Sequence, residues 1–288
     1  MRTQSVDTHP DVERIMIELI RSSPVNKRFR LVQSLTQSAF WATVHAWQER
    51  HRAVSEQEAA VHVLSSSYGP SLAKLVQAAL ERREGWHLQP IDLLAVMLPA
   101  RRALGDLHIP YYLGGSIASS LHGMQQLAQD IDLVIDLDEQ MLPTLFAALR
   151  QHYLFNETEA RKAVRVRTSF PLIHLDTLMK VHVVLPKPEA FDTCMRQLIR
   201  CFTLDERYPP IQVASATEML LFKVQRYQRD ERSRTEGMQD DAEWNDILGM
   251  LKVQGPDLDL ALLAEWADKL DVRETWQRAL ADAGLEEA

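Results

Sequence analysis

The sequence predicts an α+β fold, a mixed sheet with flanking helices set between an N-terminal and a C-terminal helical region. Three observations predict it. Apolar residues recur at helical spacing from Pro10 to Gly85; short strand-like runs cluster between Tyr111 and Leu185; helical spacing returns at Ser215 and lasts to Ala283.

The N-terminal region reads as four helices. Val12, Ile15, Met16, Leu19 and Ile20 form the apolar side of the first, which Ser22-Ser23-Pro24 closes. A longer helix from Asn26 to Arg50 carries Phe29, Val32, Leu35, Phe40, Val44 and Trp47. Its Lys27, Arg28 and Arg30 read as a solvated helix end. Ser55 with Glu58 has the form of a capping box and starts the third helix. Tyr68-Gly69-Pro70-Ser71 breaks it, and Leu72, Leu75, Val76 and Leu80 mark the fourth. Short helices on short turns imply a small bundle over 1–88.

A central α/β core is expected over 89–213. Ile91 to Leu104 reads as a helix interrupted by Pro99, and the strand Tyr111–Leu113 runs into Gly114-Gly115-Ser116. An amphipathic stretch reaches Gly123, and Asp130-Ile131-Asp132-Leu133-Val134-Ile135 is the next strand. Glu139 to Gln151 is helical, with Leu142, Leu145, Phe146 and Leu149 inward. Val164 to Arg167 alternates as a strand would. Phe170–Leu175 and Lys180–Leu185 then form an antiparallel hairpin around 176–179.

The C-terminal region, 214–288, is expected to be helical and to pack on the core. Ser215 and Glu218 form another capping box, and Trp244, Ile247, Leu248 and Leu251 fall on one side of a helix that Gly255-Pro256 stops. Leu263, Trp266, Ala267 and Leu270 mark a further helix, and Thr275 to Ala283 the last. Met1–His9, the charged loop Asp230–Gln239 and the final few residues read as disordered.

Composition bounds the function classes. A chain of 288 residues, 46% hydrophobic and 25% charged, is ordinary for a soluble globular protein of one large domain or two to three small ones. A formal net charge of −8 argues against a broad nucleic-acid surface while leaving room for a local basic cleft. No run approaches the ~20 apolar residues that span a membrane. The first residues lack the apolar core of a secretion signal, and Cys194 and Cys201 lack Cys-x-x-Cys spacing. The chain therefore reads as cytoplasmic, with reduced thiols.

The chemistry gathers between Gly114 and Asp132. Strand side chains alternate, so Asp130 and Asp132 share a face, about 7 Å apart along the strand. Two like charges so placed repel, and a divalent cation is the usual remedy. Gly114 and Gly115 permit a tight turn that leaves Ser116 and the following helix to offer free N–H groups to an anion. A triphosphate on backbone amides beside a metal-binding carboxylate pair is the chemistry of nucleotidyl transfer. Zinc-ligand spacing, a His-Glu-x-x-His run and a P-loop are absent from the sequence.

Gly114-Gly115-Ser116, followed by Asp130-Ile131-Asp132 with Asp130 fourteen positions beyond Ser116, resembles the nucleotidyltransferase superfamily with the DNA polymerase β-like fold. Within it the stretch looks most like the minimal, AbiEii-like bacterial branch. The resemblance implies transfer of a nucleoside monophosphate from an NTP to a hydroxyl on protein, RNA or a small molecule, through two Mg²⁺ (or Mn²⁺) ions. Asp130 and Asp132 would hold the metal, and Gly114, Gly115 and Ser116 the nucleotide phosphates. The family's third carboxylate falls at His182, within Lys180-Val181-His182, and three readings of it stand: a substitute ligand or base, a harmless strand histidine, or a mark of lost activity. Asp176 is an alternative source of a carboxylate. Lys223 matches a lysine that faces the nucleotide in such proteins, and Asp246 an acidic position.

Two function classes follow. One is an active nucleotidyltransferase. The other is a catalytically degenerate protein of the same fold that binds or regulates a protein partner, as in a toxin–antitoxin pair.

Overall fold

The computed structural model describes residues 2–3, 7–51, 54–187, 190–233 and 241–285. In chain order these hold α1 (Pro10–Ser22), α2 (Val25–Arg50), α3 (Glu56–Tyr68), α4 (Pro70–Leu80), α5 (Leu93–Asp106), β1 (Tyr111–Leu113), α6 (Gly115–His122) and β2 (Asp130–Ile135). Next come α7 (Leu142–Leu149), β3 (Tyr153–Leu154), α8 (Glu157–Val166), β4 (Ser169–His174) and β5 (Lys180–Val184). The last are α9 (Ala190–Arg196), β6 (Arg200–Phe202), β7 (Ile211–Val213), α10 (Ala216–Ser233), α11 (Asp241–Gln254), α12 (Leu260–Lys269) and α13 (Arg273–Ala283). The class is α+β with mixed strand pairing. Among the described residues no helix is long and apolar enough to cross a membrane.

The chain forms two compact units. Arg30–Ser116 with Gln126–Lys187 makes a sheet unit, and Met1–Phe29, Ile117–Gln125 and Pro188–Ala288 make a helical unit. This is a different cut from the linear division 1–88, 89–213 and 214–288.

In the sheet unit the strands lie in the order β3-β4-β5-β2-β1. β2 and β5 are parallel, and the pairs β1·β2, β4·β5 and β3·β4 are antiparallel, so the expected β4–β5 hairpin forms. Ile131, Leu133 and Ile135 of β2 are buried, as are Val181 and Val183 of β5. The alternate residues of both strands stand on the opposite, half-open face. Helices α3 and α4 share a core with the β4–β5 hairpin: Ala60, Leu64, Val76 and Leu80 join Ile173 and Leu178 in one apolar cluster. The capping box at Ser55 and Glu58 forms as expected. Polar contacts add to this packing, with Trp86 Nε1 donating to the Leu175 carbonyl at 2.8 Å and Arg83 pairing with Asp176 at 2.9 Å.

One expectation fails here, and one strand went unforeseen. Val164–Arg167 is not a strand but the end of α8, which Asn156 caps and Arg167 closes with φ of 52°. Ala160, Ala163 and Val164 are its buried residues, at i, i+3 and i+4, a period that a four-residue window cannot separate from alternation. β3, only two residues long, carries no pattern that sequence reading detects.

In the helical unit α11 is central. Trp244, Ile247, Leu248 and Leu251 are all buried, as their spacing predicts, and Tyr227 of α10 lies against Trp244 with ring centroids 4.7 Å apart. The helix α1 reverses its expected orientation: Val12, Ile15, Met16 and Leu19 are exposed, while Glu13 and Ile17 are buried. A polar lock sets this. Glu13 pairs with Lys252 at 3.1 Å, Lys252 also donates to the Arg2 carbonyl, and Arg21 donates to the Val253 carbonyl at 3.0 Å. Arg28, read as solvated, is buried and donates to the carbonyls of Ser23, Arg21 and Leu121, closing the ends of α1 and α6. Part of the expected disorder is corrected: the helix α10 continues to Ser233, through the start of the charged loop, and His9 caps α1. Met1, 4–6, 234–239 and 286–288, which fall in the stretches expected to be disordered, lie outside the described residues.

Candidate metal centre

β2 and β5 build the candidate site by their register. Asp130 lies opposite Lys180 and Asp132 opposite His182, so two carboxylates on one strand meet an ammonium and an imidazole on the next. Parallel pairing with a period of two puts all four side chains on the half-open face. Lys180 Nζ is 2.8 Å from Asp130 Oδ2, and His182 Nδ1 is 3.0 Å from Asp132 Oδ1. With its proton on Nδ1, the imidazole donates to that carboxylate.

The glycine turn presses directly on this pair. Gly114 N–H donates to the Asp132 carbonyl at 2.9 Å, fastening the turn to β2. Gly115 has φ of +60°, and a Cβ there would stand 1.6 Å from Asp132 Oδ2. Glycine is required twice over, for the left-handed backbone and for the space that the carboxylate occupies. Ser116 follows in the first turn of α6.

Tyr68, at the end of α3, completes the face. Lys180 Nζ lies 4.6 Å from the centre of its ring, and its hydroxyl donates to the Gln129 carbonyl. Burial, and then the Asp130 charge, push the Tyr68 phenol well above its ordinary value, so it stays a neutral donor.

Asp130, Asp132 and His182 each offer one ligand atom, and those atoms lie within 4.8 Å of one another. Among the described residues this is the one such trio. With the imidazole proton on Nε2 instead, the 3.0 Å between Nδ1 and Oδ1 suits neighbouring ligands on an ion with bonds of about 2.1 Å. One nitrogen and two carboxylates form a mixed donor set, better matched to Mn²⁺ or Zn²⁺ than to Mg²⁺. The donors present fit a divalent cation.

The site residues expected from sequence fall into both units. Gly114, Gly115, Ser116, Asp130, Asp132 and His182 belong to the sheet unit. Asp176 stands outside the trio, in its ion pair with Arg83. Lys223 and Asp246 belong to the helical unit and are buried together: Lys223 Nζ is 2.6 Å from Asp246 Oδ2, which also accepts from Ser119 Oγ at 3.1 Å. Sequence reading missed Lys180 and Tyr68 as members of the face. For Lys180 a signal existed, since it shares parity with His182 in the quoted run. For Tyr68 there was none.

No protein-family model and no curated protein matches the chain. Among solved structures it is similar to an antigenic nucleotidyltransferase-like protein from Paracoccidioides brasiliensis, at 17% identity over 66% of this chain and 93% of that one, with a TM-score of 0.40. That likeness is too slight to bear on function.

Proposed function

We propose that the chain is a metal-dependent nucleotidyltransferase, moving a nucleoside monophosphate from an NTP to a hydroxyl acceptor. One observation supports this above the rest: Asp130, Asp132 and His182 converge beside a turn in which only glycine at position 115 leaves room for the carboxylate. Fold maintenance alone gives no reason to set two carboxylates side by side, since like charges on one strand face cost stability.

In this reading Asp130, Asp132 and His182 hold a divalent cation. When bound, the cation supplies neutralising charge to the phosphate oxygens and lowers the pKa of the acceptor hydroxyl. The backbone N–H groups of Gly115 and Ser116 receive phosphate oxygens, while Gly114 N–H stays on the Asp132 carbonyl and holds the turn in place. The acceptor oxygen forms a bond to the α-phosphorus, the bond to the leaving pyrophosphate breaks, and the acceptor proton passes to solvent. Lys223 enters as a nucleotide ligand on the family resemblance alone, and would have to exchange Asp246 for phosphate.

The test is a radiolabelled-NTP transfer assay with a cell extract as acceptor source. Label transfer is expected to be stronger with Mn²⁺ than with Mg²⁺ and to vanish in Asp132→Asn. His182→Asp should raise the Mg²⁺-dependent rate, each tenfold corresponding to about 1.4 kcal/mol of barrier. A second reading, the non-catalytic binding or regulatory protein of a toxin–antitoxin pair, draws on Lys180, which already neutralises Asp130 without a metal. A wild type that neither binds nucleotide by calorimetry nor transfers label decides for it.

A further inference from the structure

Nucleotidyl transfer through two metals needs carboxylates that bridge two cations, each oxygen facing a different ion. The face described above has no such oxygens to spare. Asp130 Oδ2 is engaged by the Lys180 ammonium at 2.8 Å. Asp132 Oδ2 lies where a Gly115 Cβ would stand, turned to the backbone of the turn. At the third position His182 presents one nitrogen, and one nitrogen cannot bridge. We propose that the centre takes a single divalent cation, and that Lys180 stands as a tethered cation in place of a second.

Charge favours the same count. Two carboxylates and one ammonium, with a neutral imidazole, sum to −1. One dication brings the face to +1, suited to a polyphosphate; two would bring it to +3 on a strand pair with no further carboxylate in the trio. Lys180 is also held as a fixed part would be. The β2–β5 register sets it opposite Asp130, and the Tyr68 ring lies beside its ammonium, with the Tyr68 hydroxyl anchored on Gln129. An ammonium so placed needs no loading from solution and persists at any metal concentration.

This inference rests on the proposed metal-dependent function, and counting bound ions separates the two. The full-length protein is titrated with Mn²⁺, the free ion being followed by electron paramagnetic resonance and the heat by calorimetry. The wild type is expected to bind one Mn²⁺ per chain. Lys180→Met, equal in length and uncharged, should hold the first ion at least about tenfold more tightly and admit a second; Lys180→Arg should stay at one. Two ions in the wild type would overturn the inference and leave the function standing, and a folded Lys180→Met that still binds one would do the same. No ion in the wild type removes the proposed function and this inference together. If circular dichroism shows Lys180→Met unfolded, the counts in the wild type and Lys180→Arg decide.

Discussion

Lys180–Asp130 in the sheet unit and Lys252–Glu13 in the helical unit have nearly equal contact lengths, 2.8 and 3.1 Å. Their surroundings differ. The first pair keeps 19% and 25% of its side-chain surface, the second only 2% and 2%. Water around the first can solvate either charge if its partner is lost, so breaking the pair strands nothing. Around the second, each charge depends on the other and on the Arg2 carbonyl, because losing a partner strands an ion in an apolar interior. Exposure, not distance, divides a pair able to work from a pair that holds a fold.

The largest effect should come from breaking the buried pair. Lys252→Ala is expected to cost about 3–5 kcal/mol of stability, read from the denaturant midpoint. Replacing Glu13 and Lys252 together with leucine and methionine sharpens the contrast, since that double variant should recover most of the loss. A double variant as unstable as the single one would mean the attraction, not the stranded charge, was the cause. Next in size is Gly115→Ala, which places a methyl group on Asp132 Oδ2 and strains a backbone at φ +60°. About 1–3 kcal/mol of stability should go, and Mn²⁺ binding with it. A variant that binds Mn²⁺ as the wild type does would detach the turn from the centre. The smallest is Lys180→Ala: the pair it breaks is half open, so stability should change by no more than about 1 kcal/mol, and by less at high salt. A loss on the scale of Lys252→Ala would erase the distinction.

What could be read from the sequence followed short-range rules. The shared face of Asp130 and Asp132 came from a period of two, the turn at Gly114-Gly115 from glycine, and the start of α3 from the Ser55–Glu58 box. Illegible features depended on partners far away in the chain. Glu13 gives no hint within α1 that it is buried, since Lys252, its partner, sits in α11. An apolar stripe is inward by default, and in α1 that default loses to the Glu13–Lys252 ion pair and two carbonyl bonds from Arg21. Lys180 lies fifty residues from Asp130, and only the parallel register joins them. Tyr68 reaches the face because α3 packs on the β4–β5 hairpin, a tertiary fact with no local trace.

The β2–β5 register also bears on the order of assembly. The β4–β5 hairpin closes over nearby residues and β1 pairs with β2 across the connection that holds α6, whereas joining β2 to β5 closes a far longer loop, and loop entropy makes such pairings late. The candidate centre therefore does not exist in either strand pair and comes into being in one step, when the two zip together. A slip of one position at that step would turn Asp130 and Asp132 into the core and Ile131 and Leu133 out of it. The two aspartates thus also disfavour, while the chain is still folding, any alignment shifted by an odd number of positions.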